Sequence, residues 1–177
     1  MNRDIAKTKI VHKQSLEAVE DCSIRQILPD TQEYQQELEL RDLILRKPLG
    51  LSVYNDDLES EKKDYHIGAF YQGTLLGVLI LTPLNNREIK MRQVAVNEAY
   101  RGNHIGSRLV IFAEELARDL GYRWMVLNAR KTAVNFYQKQ DYEIVSREFI
   151  EVTIPHYKMA KNLTSNYQGV EHPQETR

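Results

Sequence analysis

The residues best placed to do chemistry lie in one run, Gln93-Val94-Ala95-Val96-Asn97-Glu98-Ala99-Tyr100-Arg101-Gly102-Asn103-His104-Ile105-Gly106-Ser107. An apolar strand end enters a short turn, and the turn enters a helix. The first-turn amides of a helix have no partner within it, and the helix dipole adds positive potential where they point. Gly102 and Gly106 allow close backbone approach, Arg101 adds a permanent charge and Ser107 a hydroxyl. Such a group suits a phosphate or pyrophosphate. On these residues alone, an ordinary strand–helix connection explains the run equally well.

The helix behind the turn is predicted over Ser107–Leu120. Leu109, Ala113, Leu116 and Leu120 recur at helical spacing, widened by Phe112 and Ala117. Glu114 and Arg118, one turn apart, form a supporting pair expected on the outer face. Gly121 ends the helix.

The strand leading in, Glu88–Val96, carries apolar residues at Ile89 and Met91 and then at Val94 and Val96. The first pair is odd-numbered and the second even, so one regular strand cannot put both on one face. A β-bulge near Arg92 to Val94 restores the phase. A strand covered on both faces is the alternative.

Arg101-Gly102-Asn103-His104-Ile105-Gly106 resembles the acetyl-CoA-binding motif of the GNAT superfamily of N-acetyltransferases, Arg/Gln-x-x-Gly-x-Gly/Ala. His104 replaces the first Gly; His enters left-handed backbone angles more readily than most residues. Ala129 to Tyr142 resembles the family's second motif, a short helix of the form Asn-x-x-Ala-x-x-Phe-Tyr-x-Lys-x-Gly-Phe. Ala133, Phe136 and Tyr137 fit it, Tyr142 takes the closing aromatic place, Asp141 replaces the Gly, and Asn135 lies inside the helix. The run from Phe149 through Glu151, Ile154, Pro155 and His156 to Met159 resembles the C-terminus of one acetyltransferase subgroup. The resemblance covers Ile24 to Lys161.

The resemblance implies an α+β, three-layer fold. Its mixed, mostly antiparallel sheet would have about six or seven strands and a splayed central pair, flanked by about four helices. It also implies acetyl-CoA as co-substrate and direct acetyl transfer to an amine through a tetrahedral intermediate; His12, His66 and His172 show no metal-ligand spacing, so no metal is expected. Arg101, Gly102, Asn103, His104, Ile105, Gly106 and Ser107 would hold the pyrophosphate. The backbone of Val94, Ala95 and Val96 would pair with pantetheine, and the N–H of Val94 or Ala95 would stabilise the oxyanion. Tyr137, with an ordinary phenol pKa of about 10, would also touch the cofactor and protonate the leaving thiolate. Asn135 would hydrogen-bond pantetheine. Tyr137 could equally be an aromatic packing residue, and Asn135 a helix-surface amide. The base candidates are His156, Glu151 and Glu88. A structural role for His156 stays open, as does attack by the small neutral fraction of the amine without a base.

Composition sets the outer limits. The 177 residues fit one domain: an arm over 1–23, a catalytic domain over 24–164 and a tail over 165–177. Lys plus Arg total 24 against 25 for Asp plus Glu, which argues against general nucleic-acid binding. A single cysteine, Cys22, rules out an internal disulfide and a Cys-based zinc site, and reads as a structural thiol. No apolar run is long enough to span a bilayer, and the first residues lack a secretory h-region. The expectation is a cytoplasmic protein, monomer or homodimer, acting on a small-molecule or peptide amine, with no membrane or nucleic-acid partner.

The remaining elements follow in order. The polar arm has room for a helical turn near Ser15 to Asp21, and a weak strand follows over Ile24–Leu28. Asp30 and Glu33 suggest a capping box for a helix reaching about Arg46 and ended by Pro48. Its second half, Leu38–Leu45, looks well buried. The loop Gly50–Asp64, with Asp56, Asp57, Glu59 and Glu61, reads as a solvated acidic loop or as an attractor for a cationic acceptor. Tyr65–Tyr71 and Leu75–Leu81 read as a hairpin turning at Gln72-Gly73-Thr74. Trp124–Asn128, Glu143–Glu151 and Ile154–Met159 complete the sheet, and a polar tail with Gly and Pro follows. Besides an acetyltransferase, two other classes fit: a non-catalytic acyl-CoA-binding module, and a nucleotide-binding domain. The second lacks both a Gly-x-x-x-x-Gly-Lys-Ser/Thr run and a Gly-x-Gly-x-x-Gly run.

Overall fold

The computed structural model describes residues 21–164. The arm before Asp21, with its expected helical turn, and the tail from residue 165 lie outside the described residues. Among the described residues eight strands form one sheet in the order β1-β2-β3-β4-β5-β8-β6, with β7 also pairing to β8. They are β1 (Ser23–Ile27), β2 (Tyr65–Tyr71), β3 (Thr74–Pro83), β4 (Glu88–Val96), β5 (Trp124–Arg130), β6 (Glu143–Ile144), β7 (Phe149–Glu151) and β8 (Ile154–Asn162). Every neighbouring pair is antiparallel except β4 and β5. The helices are α1 (Gln32–Arg41), the single turn α2 (Leu58–Glu61), α3 (Ile105–Asp119) and α4 (Val134–Gln138). Among the described residues, no helix is long and apolar enough to cross a membrane.

Two apolar clusters sandwich the sheet. On one face Ile105, Leu109, Ala113 and Ala117 of α3, with Tyr137 of α4, pack on Ile67, Leu81, Ile89, Met91, Met125 and Leu127. On the other, Tyr34, Leu38 and Leu40 of α1 pack on Ile27, Phe70, Leu75, Val78 and Ala95. The buried stripe of α3 is thus shifted from the expected one, and Leu120 is 42% exposed. Glu114 is not on the outer face. It is buried, and accepts hydrogen bonds from Arg118 and from Lys161 of β8, the latter at 2.8 Å.

Helix α1 departs most from expectation. Thr31, rather than Asp30, caps it: the Thr31 hydroxyl accepts from the Tyr34 N–H at 3.2 Å, while Glu33 pairs with Arg25 instead of closing a capping box. The buried face carries charge. Glu37 and Arg41 have no exposed surface, whereas Leu43 is half exposed. After Arg41 the chain widens into a π-turn over Asp42–Arg46, then a 3₁₀ turn over Lys47–Leu49. Asp42 accepts the Val53 N–H at 2.8 Å, anchoring the following loop.

That loop is only in part a solvated acidic surface: Asp57 and Glu59 are exposed. Glu61 turns inward, receiving the Arg41 guanidinium at 2.7 Å and that of Arg92 on its other oxygen. Asp56 holds Arg46 at 2.7 Å. At the far end of the sheet, the expected strand Glu143–Glu151 splits into β6 and β7. Between them the Lys158 N–H donates to the Ser146 hydroxyl, and the chain leaves the ladder.

Arg41 ties α1 to α2 through charges removed from water, so its loss strands Glu37 and Glu61 in the interior. We expect Arg41→Ala to destabilise the protein by about 3–5 kcal/mol in urea unfolding. A loss below about 1 kcal/mol, the scale of an exposed pair, would contradict the buried-network reading.

Candidate active site

Strand β4 contains one residue more than its partner. Val78 pairs with Ala95 but Ile80 pairs with Arg92, so Gln93 and Val94 together face Leu79. Gln93 takes a left-handed φ of 54°, the local cost of the bulge. The shift puts Met91 and Val94 against the same α3-side core while Ala95 turns to the α1 side. The change of phase in the sequence marks a bulge at the expected place.

On its other side β4 is paired to β5 only as far as Met91 opposite Leu127. Beyond that point the strands part. A cavity of about 400 Å³ occupies the gap. Five consecutive residues of β4, Lys90 to Val94, and four of β5, Leu127 to Arg130, line it. Successive side chains of a strand alternate between faces, so such a cavity passes through the plane of the sheet. Its volume falls within the usual range for small-ligand sites.

On the α3 side the cavity reaches Ala133 and Tyr137. Tyr137 is buried, and its ring meets those of Phe136 and Tyr142 edge-on at 4.9 and 5.8 Å. Burial pushes its phenol pKa well up, so the group keeps its proton through neutral and mildly alkaline pH. On the α1 side the lining includes Leu45, Arg46 and Leu49 from the π-turn and the turn after it, with Glu151 and His156 from the β7–β8 hairpin.

His156 is buried and stacks on Phe149 with ring centroids 6.0 Å apart. Its Nδ1 lies 2.8 Å from the Ile154 carbonyl, which can only accept, so Nδ1 carries the hydrogen. In the neutral ring Nε2 then holds the basic lone pair. Glu151 of β7 accepts from Asn128 Nδ2 of β5 at 2.8 Å. Glu88 is elsewhere: it accepts from Asn85 in the β3–β4 turn and does not line the cavity.

From the gap, β4 runs through a 3₁₀ turn over Glu98–Tyr100 into the turn before α3. His104 sits at the N-cap of α3 with φ 60°, the left-handed geometry its position in the motif demands, and no side chain caps the helix. Gly102 has φ 79° and open space where a Cβ would stand. Gly106 also has a packing role that the sequence did not show. A Cβ there would lie 3.2 Å from the Phe136 ring, so this glycine lets α3 pack against α4. Arg101, Gly102 and His104 are exposed, Asn103, Gly106 and Ser107 partly so, and Ile105 is a core residue. Val94 lines the cavity, Ala95 is buried, and Val96 lies near Gly106. Asn135 is exposed on α4, outside the cavity lining.

Residues 24–142 match the model of the acetyltransferase (GNAT) family. The chain belongs to that family. Over 74 residues it is 34% identical to the uncharacterized N-acetyltransferase YjcF of Bacillus subtilis, covering 41% of this chain and spanning about half, 53%, of that relative's length. Its fold is similar to that of an acyl-CoA N-acyltransferase from Pseudomonas aeruginosa, at TM-score 0.67, 21% identity and 80% and 98% coverage of the two chains. It is also similar to a GNAT family acetyltransferase from Elizabethkingia anophelis with acetyl-CoA bound, at TM-score 0.62, 17% identity and 80% and 98% coverage. The splayed pair of a GNAT sheet is thus β4 and β5.

Sequence reasoning missed the charged wall of this cavity. Arg46, Arg92 and Arg130 line it, and behind them lies a buried chain of contacts. Arg41 reaches Glu37 at 3.1 Å and Glu61 at 2.7 Å, and His66 Nδ1 stands 2.7 Å from Glu37. His66 Nε2 lies 2.8 Å from the Glu61 carbonyl, which can only accept. With an ionised Glu37, both ring nitrogens donate. Burial opposes the imidazolium, but the hydrogen bond to Glu37, the Glu37 charge and the Glu61 carbonyl outweigh it and raise the pKa. We expect NMR titration to place His66 above the ordinary value of about 6.5. The group's contribution to stability is complete below that ordinary value and is lost as pH rises through the raised one. Titration below the ordinary value would contradict the doubly donating imidazolium.

Proposed function

We propose that the protein is an acetyl-CoA-dependent N-acetyltransferase that passes an acetyl group directly to an amine. The observation that carries this reading is the cavity through the sheet, with Tyr137 on one side and His156 and Glu151 on the other. A carrier threaded between β4 and β5 meets backbone groups of Val94 to Val96 that the β5 ladder leaves unpaired. The uncapped amides at the start of α3 lie at the end of the same strand, where a diphosphate would be held by Arg101 to Ser107. The co-substrate supplies an acetyl group activated as a thioester.

The chain's own residues provide the proton chemistry. His156 Nε2 takes a proton from the incoming ammonium, with Glu151 and Asn128 fixing the adjoining wall. The N–H of Val94, turned out of the regular ladder by the bulge, donates to the developing oxyanion. Tyr137, kept protonated by burial, gives its proton to the departing thiolate. Asn135 lies on the outer side of α4 and is proposed to reach pantetheine from there.

Thiol release from acetyl-CoA, measured over a panel of amines, tests the activity. Tyr137→Phe should lower kcat by about 10²-fold or more while the protein still binds CoA. CoA binding with no thiol release from any amine would instead favour a non-catalytic acyl-CoA-binding module.

A further inference from the structure

The cavity's charge has a sign and a direction. Among the described residues Lys90, Arg46, Arg92 and Arg130 line it, against one carboxylate, Glu151, which already accepts from Asn128. Arg46 is held by Asp56 through two hydrogen bonds, at 2.7 and 3.2 Å, and Arg92 by Glu61. Arg130 differs. Among the described residues its guanidinium makes no hydrogen bond and no ion pair, although it is partly buried. Leu127 and Ala129 of the same strand face the α3-side core, so Asn128 and Arg130 face the α1 side, towards the π-turn that carries Arg46. Burial and the nearby Arg46 charge both work against the Arg130 cation and lower its pKa. Arg130 also lies opposite His156 in the β5–β8 ladder, on the same face as the proposed base.

A partly buried guanidinium beside a second cation, facing a cavity and without a partner among the described residues, calls for an anion from outside. The acids of the Gly50–Asp64 loop are engaged elsewhere: Asp56 with Arg46, Glu61 with Arg41 and Arg92, Glu59 with Lys62, Asp57 with the Ser60 N–H and Asp64 with the Thr82 hydroxyl. Building on the proposed acetyltransferase reading, we propose that the acceptor is a small amine carrying an anionic group, carboxylate or phosphate, which docks on Arg130 with Arg46 behind it. The planar fork of a guanidinium suits both oxyanions, and the wall disfavours polycationic amines.

The test compares matched acceptors: glycine, β-alanine, aspartate and phosphoethanolamine against glycinamide, β-alaninamide, ethanolamine and aliphatic diamines. Anionic members should be turned over at the higher kcat/KM, and carboxylates ranked against phosphates identify which oxyanion the site takes. Arg130→Met should raise KM for the best anionic acceptor by about 10- to 100-fold, leave the neutral amines unchanged and keep KM for acetyl-CoA within about twofold. Arg130→Lys should restore part of the loss. A preference for neutral or cationic amines, or an Arg130→Met variant that handles the anionic acceptor like wild type, overturns the proposal. Should no amine be acetylated, the enzymatic reading fails separately. Calorimetry of the same anionic amines with the CoA-loaded protein then decides the anion subsite: binding lost in Arg130→Met retains it, and no binding removes it too.

Discussion

One extra residue in β4 controls the architecture of the site. A strand ladder satisfies backbone groups on both sides, and a regular β4 could have stayed paired with β5 along its whole length. Gln93, held at a left-handed φ, turns the strand after Arg92. The pairing with β5 stops at Met91 and Leu127, and the parted strands leave a passage from one face of the sheet to the other. The same displacement delivers β4 to the turn ahead of α3, so the passage and the uncapped helix start share one strand.

The other wall depends on charges held away from water. Arg41 links Glu37 of α1 to Glu61 of α2, and Glu61 passes the connection to Arg92 on β4. His66 closes the buried end of this chain from β2. Buried ion pairs add little net stability against an apolar alternative, but once present they fix geometry, because each partner is expensive to strand. Here they anchor the π-turn region against the bulged strand. Asp56 and Glu61 are taken up by Arg46 and Arg92, so among the described residues it is Lys90 and Arg130 that face the cavity without an ion-pair partner.

Much of the fold was legible because local rules and tertiary structure agree. The change from odd to even apolar positions in β4 marked the bulge; Gln72-Gly73 marked the hairpin turn; and His104 and Asp141, in glycine places of the motifs, both take positive φ. The ionic face of α1 was not legible. Glu37 and Arg41 stand four apart, the spacing of an ordinary surface pair, and the partner that buries them, Glu61, lies 20 residues from Arg41 in sequence. The packing role of Gly106 was not legible, because the ring it meets, Phe136, comes from another helix. Arg130 carries no local signal: its surroundings are assembled from the π-turn, β4 and the β7–β8 hairpin.

Backbone amide shifts on adding CoA to isotopically labelled protein offer the most direct test of the passage between β4 and β5. The account predicts the largest changes at Gln93 to Val96, at Leu127 to Arg130 and at Gly102 to Ser107, all saturating with one affinity. Saturable changes confined to other surfaces, with these three segments unmoved, would contradict it.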